Sequence, residues 1–124
     1  MNESPRNASN LHAQVVLSRY YSRQNDARQP LTLVHALGFR SVICNRPDGE
    51  AVDQPLFETI RQLGLNSGIE TAYVPLKPEK TTDEDLALMT EMVHQLPKPI
   101  LAYCGTGARS EALLRRIIES DHEA

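Results

Sequence analysis

Several features that would place a sequence in a specialised class are scarce or missing here. The chain of 124 residues has two cysteines, no tryptophan and 5% aromatic residues. No apolar run approaches the roughly 20 residues that a membrane-spanning helix requires, so we expect no membrane span. Two cysteines are too few for a disulfide scaffold in a chain with 40% hydrophobic residues. We therefore expect a reducing, cytoplasmic location.

Clustered charge is missing as well. The formal net charge is −3 and no block of Lys or Arg interrupts the chain, which argues against a nucleic-acid partner, because phosphate backbones require clustered positive charge. The four histidines lack the spacing of metal ligands, so we expect no metal and no other cofactor. The polar start lacks the apolar core of a signal peptide. We predict a flexible tail over 1–10 and a single domain over 11–120.

Apolar runs and helical patterns alternate along the rest of the chain. Strands are predicted at 11–17, 39–45, 69–76 and 99–103, each followed by a helical pattern. Gly38 and Gly64 are predicted to end the first two helices, and a capping box from Thr81 to Glu84 to begin the third. Such alternation predicts an α/β fold, a mostly parallel sheet flanked by helices, with the strand at 69–76 in its interior.

The segment from Cys104 to Ser110, CGTGARS, is the most informative part of the sequence. It lies between an apolar strand and an apolar-periodic helix, which predicts a thiol at a strand tip, a tight glycine loop and an arginine at a helix start. Inward-facing N–H groups and the helix N-terminus favour an anion and a thiolate there, so Cys104 is the predicted nucleophile. The predicted anion-binding residues are Gly105, Thr106, Gly107, Ala108, Arg109 and Arg46.

A second loop is expected beside the first. Arg46 and Asp48 follow the strand at 39–45, and the carboxyl ends of parallel strands meet at one edge of the sheet. Arg46 is predicted to steer the anion, and Asp48 to hold an arginine or the loop in place. Ser110 is predicted to hydrogen-bond the Cys104 sulfur. The predicted catalytic set is therefore Cys104, Arg109, Ser110 and Asp48.

These stretches resemble a known family. The carriers of the likeness are Val42 to Glu50 (VICNRPDGE), Tyr73 to Pro75 (YVP), Thr82 with Asp85, and Leu101 to Ser110. They are similar to the phosphatase-like domain of bacterial beta-lactamase-hydrolase-like proteins, whose members are often labelled sulfur transferases and are in some cases fused to a sulfur dioxygenase. The resemblance implies the fold of dual-specificity phosphatases, a parallel sheet flanked by helices.

Three departures from the cysteine-phosphatase pattern favour sulfur chemistry. The spacing C-x-x-G-x-R is one residue shorter than the phosphatase C-x-x-G-x-x-R and is similar to the active loop of rhodaneses. Tyr103 stands where phosphatases usually have His, and the loop 75–80 offers only Glu79 in place of the usual aspartic general acid. In the phosphatase alternative, Asp48 could supply that acid from the neighbouring strand end. A smaller ring of N–H donors suits a terminal sulfur better than a phosphoryl group.

The sequence therefore predicts a cysteine-dependent sulfurtransferase. Its Cys104 would take sulfane sulfur from thiosulfate or a low-molecular-weight persulfide, form a persulfide and pass the sulfur to a thiol acceptor. The expected partners are that anionic donor, that acceptor and a sulfide-oxidation enzyme. Two alternatives stay open: a cysteine-dependent phosphatase of dual-specificity type, and a non-catalytic anion-binding or redox module in which Cys104 pairs with Cys44.

Overall fold

Strands and helices alternate in the computed structural model, which describes residues 13–15, 28–52, 54–77, 79–105 and 108–123. The elements are β1 (Ala13–Val15), α1 (Arg28–Ala36), β2 (Ser41–Cys44), α2 (Phe57–Ser67), β3 (Glu70–Tyr73), α3 (Asp83–Gln95), β4 (Ile100–Tyr103) and α4 (Ala108–Glu123). The predicted tail over 1–10 lies outside the described residues, and the domain limits 11–120 stay a prediction.

The four strands form one parallel sheet in the order β1-β4-β2-β3. The predicted α/β class with a mostly parallel sheet is therefore confirmed. The prediction that the third strand lies in the interior is wrong for the described sheet, because β3 pairs with β2 alone and forms an edge. Its residues are exposed or half-buried, whereas β2 and β4 are buried throughout.

Helices cover both faces of the sheet. One core lies between the sheet and the helices α1 and α2; it includes Leu31, Val42, Ile60, Leu101 and Tyr103. The other lies on the face of α3 and α4; it includes Ile43, Met89, Ile100, Ala102 and Leu113. Neighbouring residues of β2 and β4 alternate between the two cores, as the two-residue repeat of a strand requires. Continuous apolar runs in these strands follow from burial on both faces.

Two glycines show how helix ends depend on tertiary packing. Gly38 has a φ of 95° just after α1, which confirms it as the end of that helix. Gly64, predicted to end α2, lies inside the helix, which continues to Gly68 with a φ of 75°. A Cβ at Gly64 would lie 2.8 Å from Thr71 Cγ2 and 2.9 Å from the Ile69 carbonyl oxygen. Gly64 therefore permits close packing of α2 against the chain that enters β3.

The capping box of α3 lies one residue later than predicted. Thr82, and not Thr81, is the N-cap: its hydroxyl accepts from the Asp85 backbone N–H at 3.1 Å, and the Asp85 carboxylate accepts from the Thr82 N–H at 3.0 Å. The sequence TTDED offers the same spacing twice, so local pattern alone does not choose between them. Among the described helices, none has the length and apolar character to cross a membrane.

Candidate active site

Two loops meet at the carboxyl edge of the sheet. Cys44 at the end of β2 is the register partner of Tyr103 at the end of β4, and the Asn45 N–H donates to the Tyr103 carbonyl at 2.7 Å. Cys104 follows at once and is fully buried. The loop after β2 therefore runs directly beside the cysteine loop, as the parallel arrangement predicts.

Glu50 and Arg109 form the central ion pair of this edge. Arg109, in the first turn of α4, donates from Nη1 to Glu50 Oε2 at 2.8 Å and from Nη2 to Glu50 Oε1 at 2.9 Å. Its Nη1 also donates to the Leu76 carbonyl at 2.7 Å. A planar guanidinium held at three points has little rotational freedom left, so its orientation toward the cysteine loop is fixed before any ligand binds.

Arg46 brings a second guanidinium to the same carboxylate. Its Nε donates to Glu50 Oε1 at 3.1 Å, and its side chain is 10% exposed. Arg46 Nη1 is buried without a hydrogen-bond partner among the described residues. A buried charged donor without an acceptor is unfavourable, which makes this nitrogen a natural contact for an anionic ligand.

Gly105 lies against both cations. A Cβ built on Gly105 would stand 2.8 Å from Arg109 Nη2, 3.5 Å from Glu50 Oε1 and 4.0 Å from Arg46 Nε. Glycine at this position therefore lets the cysteine loop approach the two guanidinium groups. The predicted anion-binding residues Gly105, Arg109 and Arg46 come together here, with Ala108 exposed at the start of α4. Thr106 and Gly107 lie outside the described residues.

The charges in the cluster reinforce one another. The hydrogen bond from Arg109, with a smaller contribution from Arg46, holds the pKa of Glu50 below its usual value although partial burial opposes this. The pKa of Arg109 is raised, first by the hydrogen bond to Glu50 and to a smaller extent by its charge interaction and hydrogen bond with Cys104. Glu50 thus stays ionised, and Arg109 lies within reach of the sulfur.

Ser110 takes part in a buried hydrogen-bond chain. Its hydroxyl lies 2.7 Å from Asn45 Oδ1, and Asn45 Nδ2 donates to the Val74 carbonyl at 2.9 Å. Because the amide oxygen can only accept, the Ser110 proton points to Asn45. That proton is not available to the Cys104 sulfur in this arrangement. Both side chains are fully buried, so the chain ties α4 to the ends of β2 and β3.

Asp48, in the loop after β2, packs against the start of α2. Its Oδ1 accepts from the Phe57 N–H at 2.8 Å, which satisfies one of the free amides of that helix, and its own N–H donates to Tyr73 Oη at 2.9 Å. These contacts hold the loop in place, which is one of the roles expected for Asp48. The carboxylate that holds the arginines is that of Glu50.

Cys44 is a core thiol. Burial raises its pKa to about 11, against smaller opposing effects of a hydrogen bond with Tyr103 and one with the Arg46 backbone. Its sulfur lies 3.3 Å from the Arg46 carbonyl oxygen. Cys44 is therefore protonated at neutral pH and is a poor nucleophile.

Glu50 and Asn45 are the site residues that the sequence prediction missed. Both lie within the stretch from Val42 to Glu50 that carries the family resemblance. A signal was available for Glu50, since it follows Arg46 by four residues in a loop already expected to bind an anion. Asn45 gave no comparable signal, because a polar residue after a strand is ordinarily read as part of a turn.

Comparison with known proteins identifies the family of this chain. The family model described as "Beta-lactamase hydrolase-like protein, phosphatase-like domain" matches residues 22–117. A beta-lactamase hydrolase-like protein of Agrobacterium fabrum is 29% identical over 116 residues, which cover 85% of this chain and 27% of that protein. A protein of the same name from Xylella fastidiosa is 27% identical over 73 residues, 59% of this chain and 17% of that protein. The matched part of the chain thus spans about a quarter or less of the length of these relatives.

Solved structures agree on the fold. A candidate phosphatase from Neisseria meningitidis superposes with a TM-score of 0.68 at 28% identity, covering 85% of this chain and 71% of the other. A candidate phosphatase from Shewanella putrefaciens gives a TM-score of 0.70 at 18% identity, covering 99% of this chain and 69% of the other. The cysteine phosphatase-like fold is therefore confirmed.

The predicted sulfurtransferase activity through a Cys104 persulfide is wrong by these comparisons, because family and structural neighbours carry phosphatase names. That prediction rests on loop length and on the residue before the cysteine. Neither feature measures the charge offered to the ligand, and the structure brings two guanidinium groups, from Arg46 and Arg109, to one carboxylate beside the cysteine loop.

The family model matches residues 22–117, well over half of the chain. This chain belongs to the phosphatase-like domain family of beta-lactamase hydrolase-like proteins.

Proposed function

We propose that this chain is a cysteine-dependent phosphatase that hydrolyses phosphomonoesters. The observation that carries the proposal is the guanidinium of Arg109, in the first turn of α4. Two hydrogen bonds to Glu50 hold it beside the Cys104 thiol. The phosphatase-like family and the candidate phosphatases of similar fold support it.

The cation arrangement suits a phosphoryl group. A guanidinium fork matches two oxygens of a phosphoryl group, and a helix N-terminus adds N–H donors and partial positive charge. Three of the five N–H groups of Arg109 bond to Glu50 and Leu76, which leaves one on Nη2 and the one on Nε for a phosphoryl group. Arg46 Nη1 supplies a further donor that lacks a partner among the described residues. Glu50 compensates one of the two positive charges, so the pair can remain close together before a substrate arrives.

The first chemical step is phosphoryl transfer to sulfur. The Cys104 thiolate attacks phosphorus, an S–P bond forms and the P–O bond to the alcohol breaks. Arg109 and Arg46 stabilise the charge that spreads over the non-bridging oxygens in the transition state. The leaving oxygen must accept a proton unless it is already a weak base.

Among the carboxyl groups that the structure describes near the cysteine loop, two are held by other contacts. Asp48 is engaged with the start of α2, and Glu50 is held ionised by two arginines. Glu79 is exposed and lines a cavity that Arg109 and Ala108 also line. We assign it as the group that protonates the leaving oxygen. In the second step water attacks phosphorus, its proton passes to Glu79, the S–P bond breaks and inorganic phosphate leaves.

Phosphate release from an aryl phosphate tests the proposal. Wild-type protein should release inorganic phosphate, and Cys104→Ser should release none while unfolding at an unchanged temperature. Cys44→Ser is the matched control, since it makes the same substitution at the other buried cysteine; it should keep wild-type turnover. Equal turnover by Cys104→Ser and wild type would overturn the proposal, as would no release from aryl or alkyl phosphates by folded wild-type protein.

A further inference from the structure

A cavity lies beside the cysteine loop, at the start of α4. It has a volume of about 280 Å³ and lies between the chain that leads into α3 and one face of α4. Arg109 borders it at the start of α4, and Arg116 borders it seven residues further along. Ala112 and Leu113 lie between them, so the middle of the cavity is apolar. The cavity therefore runs along the helix, away from the cysteine.

The end of the cavity that lies away from the cysteine carries unpaired positive charge. Arg116 and Lys80 both line it, both are exposed, and neither side chain makes an ion pair within the part of the chain that the structure describes. Arg109 is compensated by Glu50, so its charge is already balanced. Glu79 is the acid among the described lining residues, and it offsets one of the two positive charges of Lys80 and Arg116.

Helix geometry gives the spacing of the two anion contacts. Positions seven apart lie on the same face of an α-helix, about 10 Å apart along its axis at 1.5 Å per residue. The volume lies near the lower end for small-molecule pockets, which run from about 300 Å³ upward. A phosphorylated small molecule of several atoms would therefore extend from the cysteine loop toward Arg116.

We propose that the cavity is a subsite for a second anionic group of the substrate, held by Lys80 and Arg116. The inference rests on the proposed phosphatase function and deepens it: the substrate class is a small phosphomonoester with a further phosphate or carboxylate at its far end. The apolar stretch at Ala112 and Leu113 contacts the body that joins the two groups. A phosphomonoester without a second anionic group lacks the contacts with Lys80 and Arg116 and therefore binds more weakly than a doubly anionic one.

Ligand binding to the Cys104→Ser protein tests this without turnover. Calorimetry would compare a hexose 6-phosphate, the corresponding hexose 1,6-bisphosphate and a 6-phosphorylated sugar acid, which distinguishes a second phosphate from a carboxylate. One or both doubly anionic ligands should bind at least tenfold more tightly than the monophosphate, since hydrogen bonds to charged groups are among the strongest in proteins. Arg116→Gln and Lys80→Gln should each remove most of this advantage while monophosphate affinity changes less than twofold.

Arg115→Gln is the matched control, because Arg115 is an exposed neighbour on α4 that pairs with Glu111 and does not line the cavity. It should leave all three affinities unchanged. The subsite is overturned if neither doubly anionic ligand binds more tightly than the monophosphate, or if Arg116→Gln weakens all three ligands equally. Failure of the proposed function is a separate result, the absence of Cys104-dependent phosphate release by the wild-type protein.

Discussion

Glu50 accepts two hydrogen bonds, of 2.9 and 2.8 Å, from Arg109, which lies 59 positions later in the sequence. The same carboxylate binds Arg46, so one acidic side chain positions both guanidinium groups at the cysteine loop. The positive charge that the proposed phosphoryl transfer requires is thus oriented in the free protein, and little reorganisation is left for the moment of reaction.

Replacing Glu50 should therefore impair both catalysis and stability. In Glu50→Gln the arginines lose their charged anchor, and we expect kcat/KM for an aryl phosphate to fall roughly 10- to 100-fold, the scale of effect that misplaced catalytic groups produce. The free energy of unfolding should fall by about 1 to 3 kcal/mol, because the buried Arg46 loses its charged partner. Glu58→Gln is the control: Glu58 forms an exposed pair with Arg61 on α2, and its loss should leave kcat/KM unchanged. A Glu50→Gln enzyme with wild-type kcat/KM would contradict the positioning role.

The Glu50 cluster also predicts a pH dependence of stability. Its pKa is lowered in the folded protein, mainly by the hydrogen bond from Arg109. A carboxyl group of this kind stabilises the fold fully above its unfolded pKa, about 4.3 for glutamate, and loses that contribution as the pH falls through the lower folded pKa. The difference in melting temperature between wild type and Glu50→Gln should be constant from pH 8 to pH 5 and shrink below pH 4. A difference that grows on acidification would contradict the assignment.

Asp48 should matter for stability and little for turnover. Asp48→Ala removes the acceptor for the Phe57 N–H and should lower the free energy of unfolding by about 1 kcal/mol, as the loss of a helix cap does. Asp48→Asn keeps an acceptor oxygen and should retain most of that stability. Urea unfolding measures both values, and kcat/KM per folded molecule should stay within about twofold of wild type. A folded Asp48→Asn protein without activity would make Asp48 the proton donor and displace Glu79 from that role.

Glu79→Gln should have an effect that depends on the leaving group. General acid catalysis contributes about 10²- to 10⁴-fold where the leaving oxygen is strongly basic. We expect kcat for an alkyl phosphate to fall at least about 100-fold, and kcat for a dinitrophenyl phosphate to stay near wild type. Glu84→Gln, at an exposed acid in the first turn of α3, should change neither value. Equal losses on both esters would rule out proton donation to the leaving oxygen.

Ser110 tests the buried hydrogen-bond chain. Ser110→Ala leaves Asn45 Oδ1 without its donor in a fully buried position, which should cost about 1 to 3 kcal/mol of unfolding free energy. Ser120→Ala, at an exposed position of the same helix, should be nearly neutral. An unchanged stability of Ser110→Ala by urea unfolding would show that this bond is not important to the fold.

Local sequence was sufficient to predict the strand, loop and helix around Cys104. An apolar run before the cysteine, glycines after it and an apolar-periodic stretch beyond are all local signals, and alternating elements imply a parallel sheet. The place of β3 at the sheet edge was not predictable in this way, because strand order depends on which faces the helices cover.

The parts of the site that depend on long-range contacts escaped prediction. The bond between Glu50 and Arg109 joins residues far apart in sequence, and the bond between Ser110 and Asn45 spans 65 positions. The sulfurtransferase prediction is wrong because loop spacing alone does not identify the transferred group. The two guanidinium groups beside the cysteine loop, from Arg46 and Arg109, become visible only in the structure, where both bind the Glu50 carboxylate.

Trapping the phosphoryl group on the enzyme is the most direct test of the proposed phosphatase reaction. Wild-type protein would be mixed with an aryl phosphate, quenched within one turnover and measured by intact mass and by peptide mapping. We expect a gain of one phosphoryl group on the peptide that contains Cys104, absent from Cys104→Ser and present in Cys44→Ser. Steady phosphate release without a phosphoryl group on Cys104, or an adduct that persists in Cys104→Ser, would contradict it.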